Sequence, residues 1–168
     1  MKKIMLFLAC GLFVTTVALA QAPKLAYLNS LELLQAMPDR AKADTNLAAY
    51  AKTFQDQLEA MQKEYQSKVQ QYQTQEKTMT DAMKEVKVKE IQDLQNRMES
   101  TQQSAQDKVQ QKKQELYAPV LERADKAIKE VAKEKGYDYV FDASQAGLLY
   151  AKDGDNIIAQ VKAKLGLK

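Results

Sequence analysis

Apolar residues recur every seven positions along the middle of the chain. Leu47, Phe54 and Met61 form one series; Ala51, Leu58, Tyr65, Tyr72, Met79 and Val86 form another. Two such series are the a and d positions of a left-handed coiled coil. The first weakens where Lys68 and Gln75 take its next places, and a later stripe (Ile91, Leu94, Met98, Ala105, Val109, Leu116) drifts in register. One stripe per segment, with polar residues elsewhere, predicts two antiparallel helices packed on each other without a regular zipper. Residues 39–118 hold neither Gly nor Pro over 80 positions. Gly costs about 1 kcal/mol and Pro about 3 kcal/mol inside a helix, so this stretch favours long, unbroken helix. At about 1.5 Å per residue it would reach roughly 120 Å straight, or roughly 60 Å folded back as a hairpin. The hairpin reading puts the tip between residues 78 and 88, with Thr78, Thr80 and Asp81 as candidate caps. No glycine forces a turn there, so one straight helix is the alternative.

The pattern changes at both ends. Leu25-Ala26-Tyr27-Leu28-Asn29 alternates as a strand, Ser30 is placed to cap a short helix through Met37, and Pro38 marks its end. Pro119 predicts a kink where the rod re-enters an apolar segment. Residues 137–142 and 147–151 read as two further strands. Asp155 is placed to cap a last helix with Ile157, Ile158, Val161 and Leu165 on one face and Gly166 at its end. The expected fold is α+β and mostly helical: a long antiparallel coiled-coil hairpin, residues 39–118, projecting from a small β-rich body built from residues 21–38 and 119–168. A body of roughly 65 residues is a marginal core by itself. Its strand edges would also stand exposed. Oligomerisation through the body answers both problems, and Leu25, Tyr27, Val140, Phe141, Leu148 and Leu149 are the residues expected to serve it.

The first 20 residues do not belong to this fold. Lys2 and Lys3 precede an apolar run from Ile4 to Leu19, and Ala18-Leu19-Ala20 gives a small-x-small cleavage pattern, so residues 1–20 read as a cleavable signal peptide. An uncleaved anchor is the alternative, though the run is short for a span of about 20 residues. Leu8-Ala9-Cys10-Gly11 loosely resembles a lipobox, but the apolar run continues past it to a better cleavage site. The mature chain would hold 148 residues (168 − 20) and no cysteine, which excludes disulfides and thiolate metal sites. Losing Lys2 and Lys3 lowers the net charge from +3 to +1, so nucleic acid is not an expected partner.

No constellation for catalysis stands out. The mature chain lacks both Cys and His, the commonest general base. No Gly-rich phosphate loop is present, and no cofactor is expected. Carboxylates sit among lysines on helical faces, as in the i,i+4 pairs Glu59–Lys63 and Glu64–Lys68. Asp153-Gly154-Asp155-Asn156 lacks the spacing of a calcium loop and reads as a turn with a helix cap. Residues 39–77 hold six basic and six acidic side chains. That balance leaves no strong positive patch for a membrane surface. The aromatics and methionines of the rod read first as seam. Tyr50, Tyr65, Tyr72, Met79 and Met83 have a second reading as an adaptable surface for apolar clients, because Met is flexible and polarisable. Tyr50 lies off both heptad series and suits a surface contact best. The Gln-rich faces are solvated surface, or groups able to satisfy the backbone of an unfolded chain.

The layout as a whole resembles the Skp/OmpH family of periplasmic chaperones. The resemblance rests on the leader, the strand Lys-Leu-Ala-Tyr-Leu-Asn-Ser, the long hairpin, Pro-Val-Leu at 119–121, and Ala-Ile-Lys-Glu-Val-Ala-Lys-Glu-Lys-Gly-Tyr-Asp-Tyr-Val-Phe-Asp at 127–142. It covers essentially the whole mature chain, and residues 119–142 are its most specific part. It implies a homotrimer whose pooled strands form the body and whose three hairpins enclose a cavity for unfolded outer-membrane β-barrel proteins, without ATP. Some members have strongly basic arms that attract acidic clients and membranes. This chain's near-neutral charge gives membrane contact little support and favours apolar contact with clients. The competing expectation is a structural or adaptor coiled coil of the cell envelope, with one folded partner and no action on unfolded chains.

Overall fold

The computed structural model describes residues 22–145 and 147–167. The expected leader, residues 1–20, lies outside them. The chain order is β1 (Leu25–Leu28), α1 (Ser30–Ala36), α2 (Pro38–Gln75), α3 (Asp81–Lys135), β2 (Tyr139–Asp142) and α4 (Ile158–Lys164). Helices α2 and α3 make the hairpin, and the straight-rod alternative falls.

Local chemistry sets each boundary. Asn29, not Ser30, caps α1: its side chain accepts from the Glu32 amide at 3.0 Å. Met37 is extended (φ −81°, ψ 121°) because the proline after it disfavours helical backbone. That residue separates α1 from α2, and Pro38 then opens α2 where its missing N–H has no cost. The reversal is a 3-10 turn at Glu76–Thr78 followed by extended Met79 and Thr80. Thr80 caps α3 by accepting from the Met83 amide at 3.3 Å. No residue of this turn has positive φ, so it needs no glycine.

Helix α3 runs unbroken through Pro119, so arm and body share one continuous helix. Gly136 ends it in the left-handed conformation (φ 67°), with the Tyr137 amide closing back on the Ala132 carbonyl at 2.9 Å. Asp155 does not cap α4. The Asn156 side chain accepts from the Ile158 amide instead, at 3.0 Å, and Gly166 (φ 72°) follows the helix.

β1 and β2 pair in parallel, Leu25 with Tyr139 through Leu28 with Asp142, and an isolated bridge joins Tyr27 to Asn156. Residues 147–151 form no strand: among the described residues the only sheet has two strands. The segment expected as a third strand has no strand partner among the described residues, and backbone pairing is what defines a strand. The sheet's inner face, Ala26 and Leu28, joins Leu33, Met37, Ile157 and Val161 in the core. Val120, Ala124, Ala127 and Val131 of α3 supply the opposite wall at spacings of four, three and four, one stripe of a helix.

Ion pairs tie the ends of this body together. Lys162 meets Glu32 at 2.7 Å, Lys164 meets Glu130 and Glu134, and Arg123 holds Asp39 and the Leu165 carbonyl. Tyr117 donates to Asp44 at the root of the arm.

Candidate interaction surfaces of the body and arm

Two surfaces stand out, and different physics makes each. The first is the outer face of the sheet. Strand alternation sends Ala26 and Leu28 inward, so Leu25 and Tyr27 turn outward. In β2 the same rule sends Val140 inward and Tyr139 and Phe141 outward. Leu25, Tyr139 and Phe141 are each about half exposed among the described residues. Leu149 and Tyr150, just beyond, are 99% and 82% exposed. Such a run of large apolar side chains makes this face a candidate contact surface.

Of the six residues expected to serve the oligomer, Leu25, Tyr27 and Phe141 share this outer face. Leu149 stands free in the neighbouring segment, and Leu148 is half-buried there. Val140 does not join them; it packs against the chain's own core. Tyr139 was missed, although strict alternation around Val140 would have found it.

The end of β2 is stapled rather than open. Asp142 accepts from the Ser30 hydroxyl at 2.5 Å, the Ser30 amide at 3.1 Å and the Ser144 amide at 2.9 Å. Loss of hydration pushes the Asp142 carboxyl upward. The bonds from Ser30 and Ser144 together outweigh that and hold it at about 2. Ser30 therefore clamps the strand end, where the sequence suggested a helix cap.

The second surface is the arm. Its seam is thin: along residues 47–109 only Met61, Leu94 and Ala105 are buried. Tyr50 stacks edge-on against Phe54 with centroids 5.2 Å apart, and Lys112 and Lys108 reach over the two rings at 5.9 Å. Tyr50 is thus half-buried against α3 and is not a free surface ring. Tyr65, Tyr72 and Met79 are also half-buried, and Met83 is 52% exposed. Val86, expected in the seam, is exposed beside Met83 near the tip.

The distal seam turns polar. Lys68, expected to pair with Glu64, reaches Glu90 on the opposite helix at 3.0 Å, and Lys87 adds a second contact at 3.2 Å. The hydrogen bonds from Lys68 and Lys87, with their charges, lower the Glu90 pKa. Glu59–Lys63 forms along α2 as expected, at 2.7 Å.

Between the two helices the loose packing leaves a groove on one face. One part, of about 600 Å³, has Leu58, Tyr65 and Met98 on its floor. A second, of about 490 Å³, has Phe54, Ala105 and Val109, and both parts share Gln55, Leu58 and Gln102. Sequence reasoning placed Leu58, Tyr65 and Met98 in the seam but did not see that the seam stays open beside them. Among the described residues, no three His, Cys, Asp or Glu side chains are placed to hold a metal ion. None of the described helices is long and apolar enough to cross a membrane.

The family described as outer membrane protein (OmpH-like) matches residues 24–165. A "Chaperone protein Skp" of Photorhabdus luminescens is 30% identical over 162 residues, covering 96% of this chain and 97% of that protein. Its counterpart in Pectobacterium atrosepticum is 26% identical with the same coverage. The crystal structure of a candidate outer membrane chaperone (OmpH-like) from Caulobacter crescentus CB15 superposes with a TM-score of 0.75. It covers 86% of this chain and 84% of that one at 15% identity, a likeness of fold.

Proposed function

The chain belongs to the OmpH-like family, and from that premise we propose that it is an ATP-independent holdase of the periplasm. It keeps unfolded outer-membrane β-barrel proteins from aggregating by holding them among its helical arms. The observation behind this reading is the joining of a whole-chain match to Skp chaperones with an arm whose apolar residues are only half covered. Residues 1–20 direct export and are then removed.

Three copies assemble through the outer face of the sheet, with Leu25, Tyr139 and Phe141 meeting their counterparts. The unpaired segment at Leu148 and Leu149 adds to the shared sheet. Support for this assembly comes from the uncovered apolar face and from a core too small to stand well alone. The arms then hang from one body and enclose a space.

Tyr65, Tyr72, Met79 and Met83 meet the client through many weak contacts, each easily broken. Holding is strong in sum while the client stays free to leave, so no nucleotide is needed to release it. The mature charge of +1 makes apolar contact the main attraction. No catalytic step belongs to this reading.

The test is light scattering after a urea-unfolded outer-membrane β-barrel protein is diluted into buffer with the mature chain. The holdase suppresses scattering at near-stoichiometric ratio and forms one client per oligomer. Unchanged scattering from a folded, oligomeric sample would instead point to an envelope spacer with a folded partner.

A further inference from the structure

The groove along the arm has a specific chemistry. Its floor is apolar, with Leu58, Tyr65 and Met98, and its walls are largely glutamine: Gln55 and Gln62 from α2, Gln95, Gln102, Gln106 and Gln110 from α3. Among the described residues none of these six amides is engaged in a side-chain hydrogen bond. Each offers donors and an acceptor at once.

Spacing selects what they fit. Residues four apart on a helix are separated by about 6 Å along its axis. An extended chain repeats every second residue at about 6.6 Å. Gln102, Gln106 and Gln110 therefore run nearly in step with the backbone groups on one edge of a strand. From Ala51 to Tyr65 the groove is about 21 Å long, room for roughly six extended residues. A helix would present no free backbone groups to the amides, and a folded surface would not enter the gap.

Charge adds one more selection. The lining holds two charges, Glu59 and Glu99. Glu59 is paired with Lys63 at 2.7 Å, while Glu99 has no ion-pair partner among the described residues. Glu99 lies one turn from the distal end of the groove, so an occupant with a basic residue toward that end would complete the pair.

We propose that this groove binds one extended segment of an unfolded chain, with alternate apolar side chains on the floor, backbone amides and carbonyls bonded to the glutamines, and a lysine or arginine at Glu99. The proposal rests on the holdase reading and deepens it. The primary contact is a groove within each arm, in addition to the space between arms.

The mature chain has no cysteine, so single labels can be placed cleanly. An environment-sensitive fluorophore goes on Gln62→Cys in the groove and, as control, on Ala60→Cys on the outer face of α2. The probe is a short synthetic peptide alternating apolar and polar residues, with one lysine second from an end.

The expected result is a saturable blue shift at position 62 and none at 60. Gln102→Trp, which fills an exposed gap without touching the core, should weaken peptide binding about tenfold. Glu99→Gln should weaken the lysine peptide about two- to fivefold, as for an exposed ion pair, and leave a lysine-free peptide unchanged. No response at position 62, or equal responses at 62 and 60, overturns the groove. If the wild-type chain suppresses client aggregation all the same, the holdase reading stands without it. If position 62 responds but aggregation is not suppressed, the groove stands and the holdase reading falls.

Discussion

The body and the arm of this molecule are held by different means. The body is small yet brings Leu33, Ile157 and Val161 to complete burial, with Leu28 and Met37 at 2%. The arm's much longer helices bury three side chains between residues 47 and 109. In the body, four helices and a sheet pack around the core side chains. In the arm, backbone hydrogen bonds hold each helix by itself, a thin seam keeps the two together, and toward the tip the Lys68–Glu90 ion pair joins them. The lesson is a division of labour. The body is tightly packed, while the arm is loosely packed and leaves apolar surface open; on the proposed reading the first serves assembly and the second a client.

The largest effect expected is on the body's own strand. Val140→Asp presses a charge against the core and should cost on the order of 4 kcal/mol, enough to unfold the chain. Phe141→Asp, one residue along on the outer face, should leave circular dichroism native while lowering the mass in solution to that of a monomer. If Phe141→Asp kept the mass, the outer face would not be the assembly surface.

Next comes a matched pair of leucines. Leu33→Ala leaves a cavity walled on all sides and should lower stability in urea by about 3 kcal/mol. Leu94→Ala in the arm leaves a gap that two helices can close, at the low end of such losses, about 2 kcal/mol or less. Hydrogen exchange should show the first loss throughout the body and the second in the arm alone. Equal and global effects would mean that arm and body unfold as one unit.

The sequence made this division partly visible. Heptad spacing at Leu47, Phe54 and Met61, with no Gly or Pro over 80 positions, predicts the hairpin. The tip was legible only as a window, because a turn built from extended Met79 and Thr80 leaves no glycine to mark it. Residues 147–151 look like a strand in composition, but pairing needs a partner that the described residues do not supply. Asn29 took the capping role expected of Ser30, and Ile157 rather than Asp155 stands at the start of α4 with Asn156 bonding its first amide, since neighbouring oxygens are chemically able and only geometry chooses. The groove could not be read from periodicity, which says which residues face a seam but not how tightly it closes.

A subtler effect tests the stapled end of β2. Asp142, depressed to about 2 from an ordinary 3.8, lends stability above its unfolded pKa that fades as pH falls toward 2. Ser30→Ala should raise this pKa toward its ordinary value and bring the loss to higher pH, read by carboxyl NMR titration. An unmoved pKa would show that Ser30 is not its partner in solution.

The smallest effect lies at the distal seam. Glu90 is lowered by Lys68 and Lys87, so its contribution is present above its unfolded pKa and lost on acidification. Glu90→Gln should speed amide exchange near the tip and remove its salt dependence, with the body unchanged. Faster exchange in the body as well would break the proposed separation.

The division of labour is tested most directly by replacing residues 47–109 with a short glycine-serine link and measuring both solution mass and the suppression of client aggregation. The account predicts a folded base that keeps its subunit number and no longer keeps an unfolded β-barrel protein soluble. A base that still suppressed aggregation as well as the full mature chain would contradict it, because the client would then be held by the body and not by the arms.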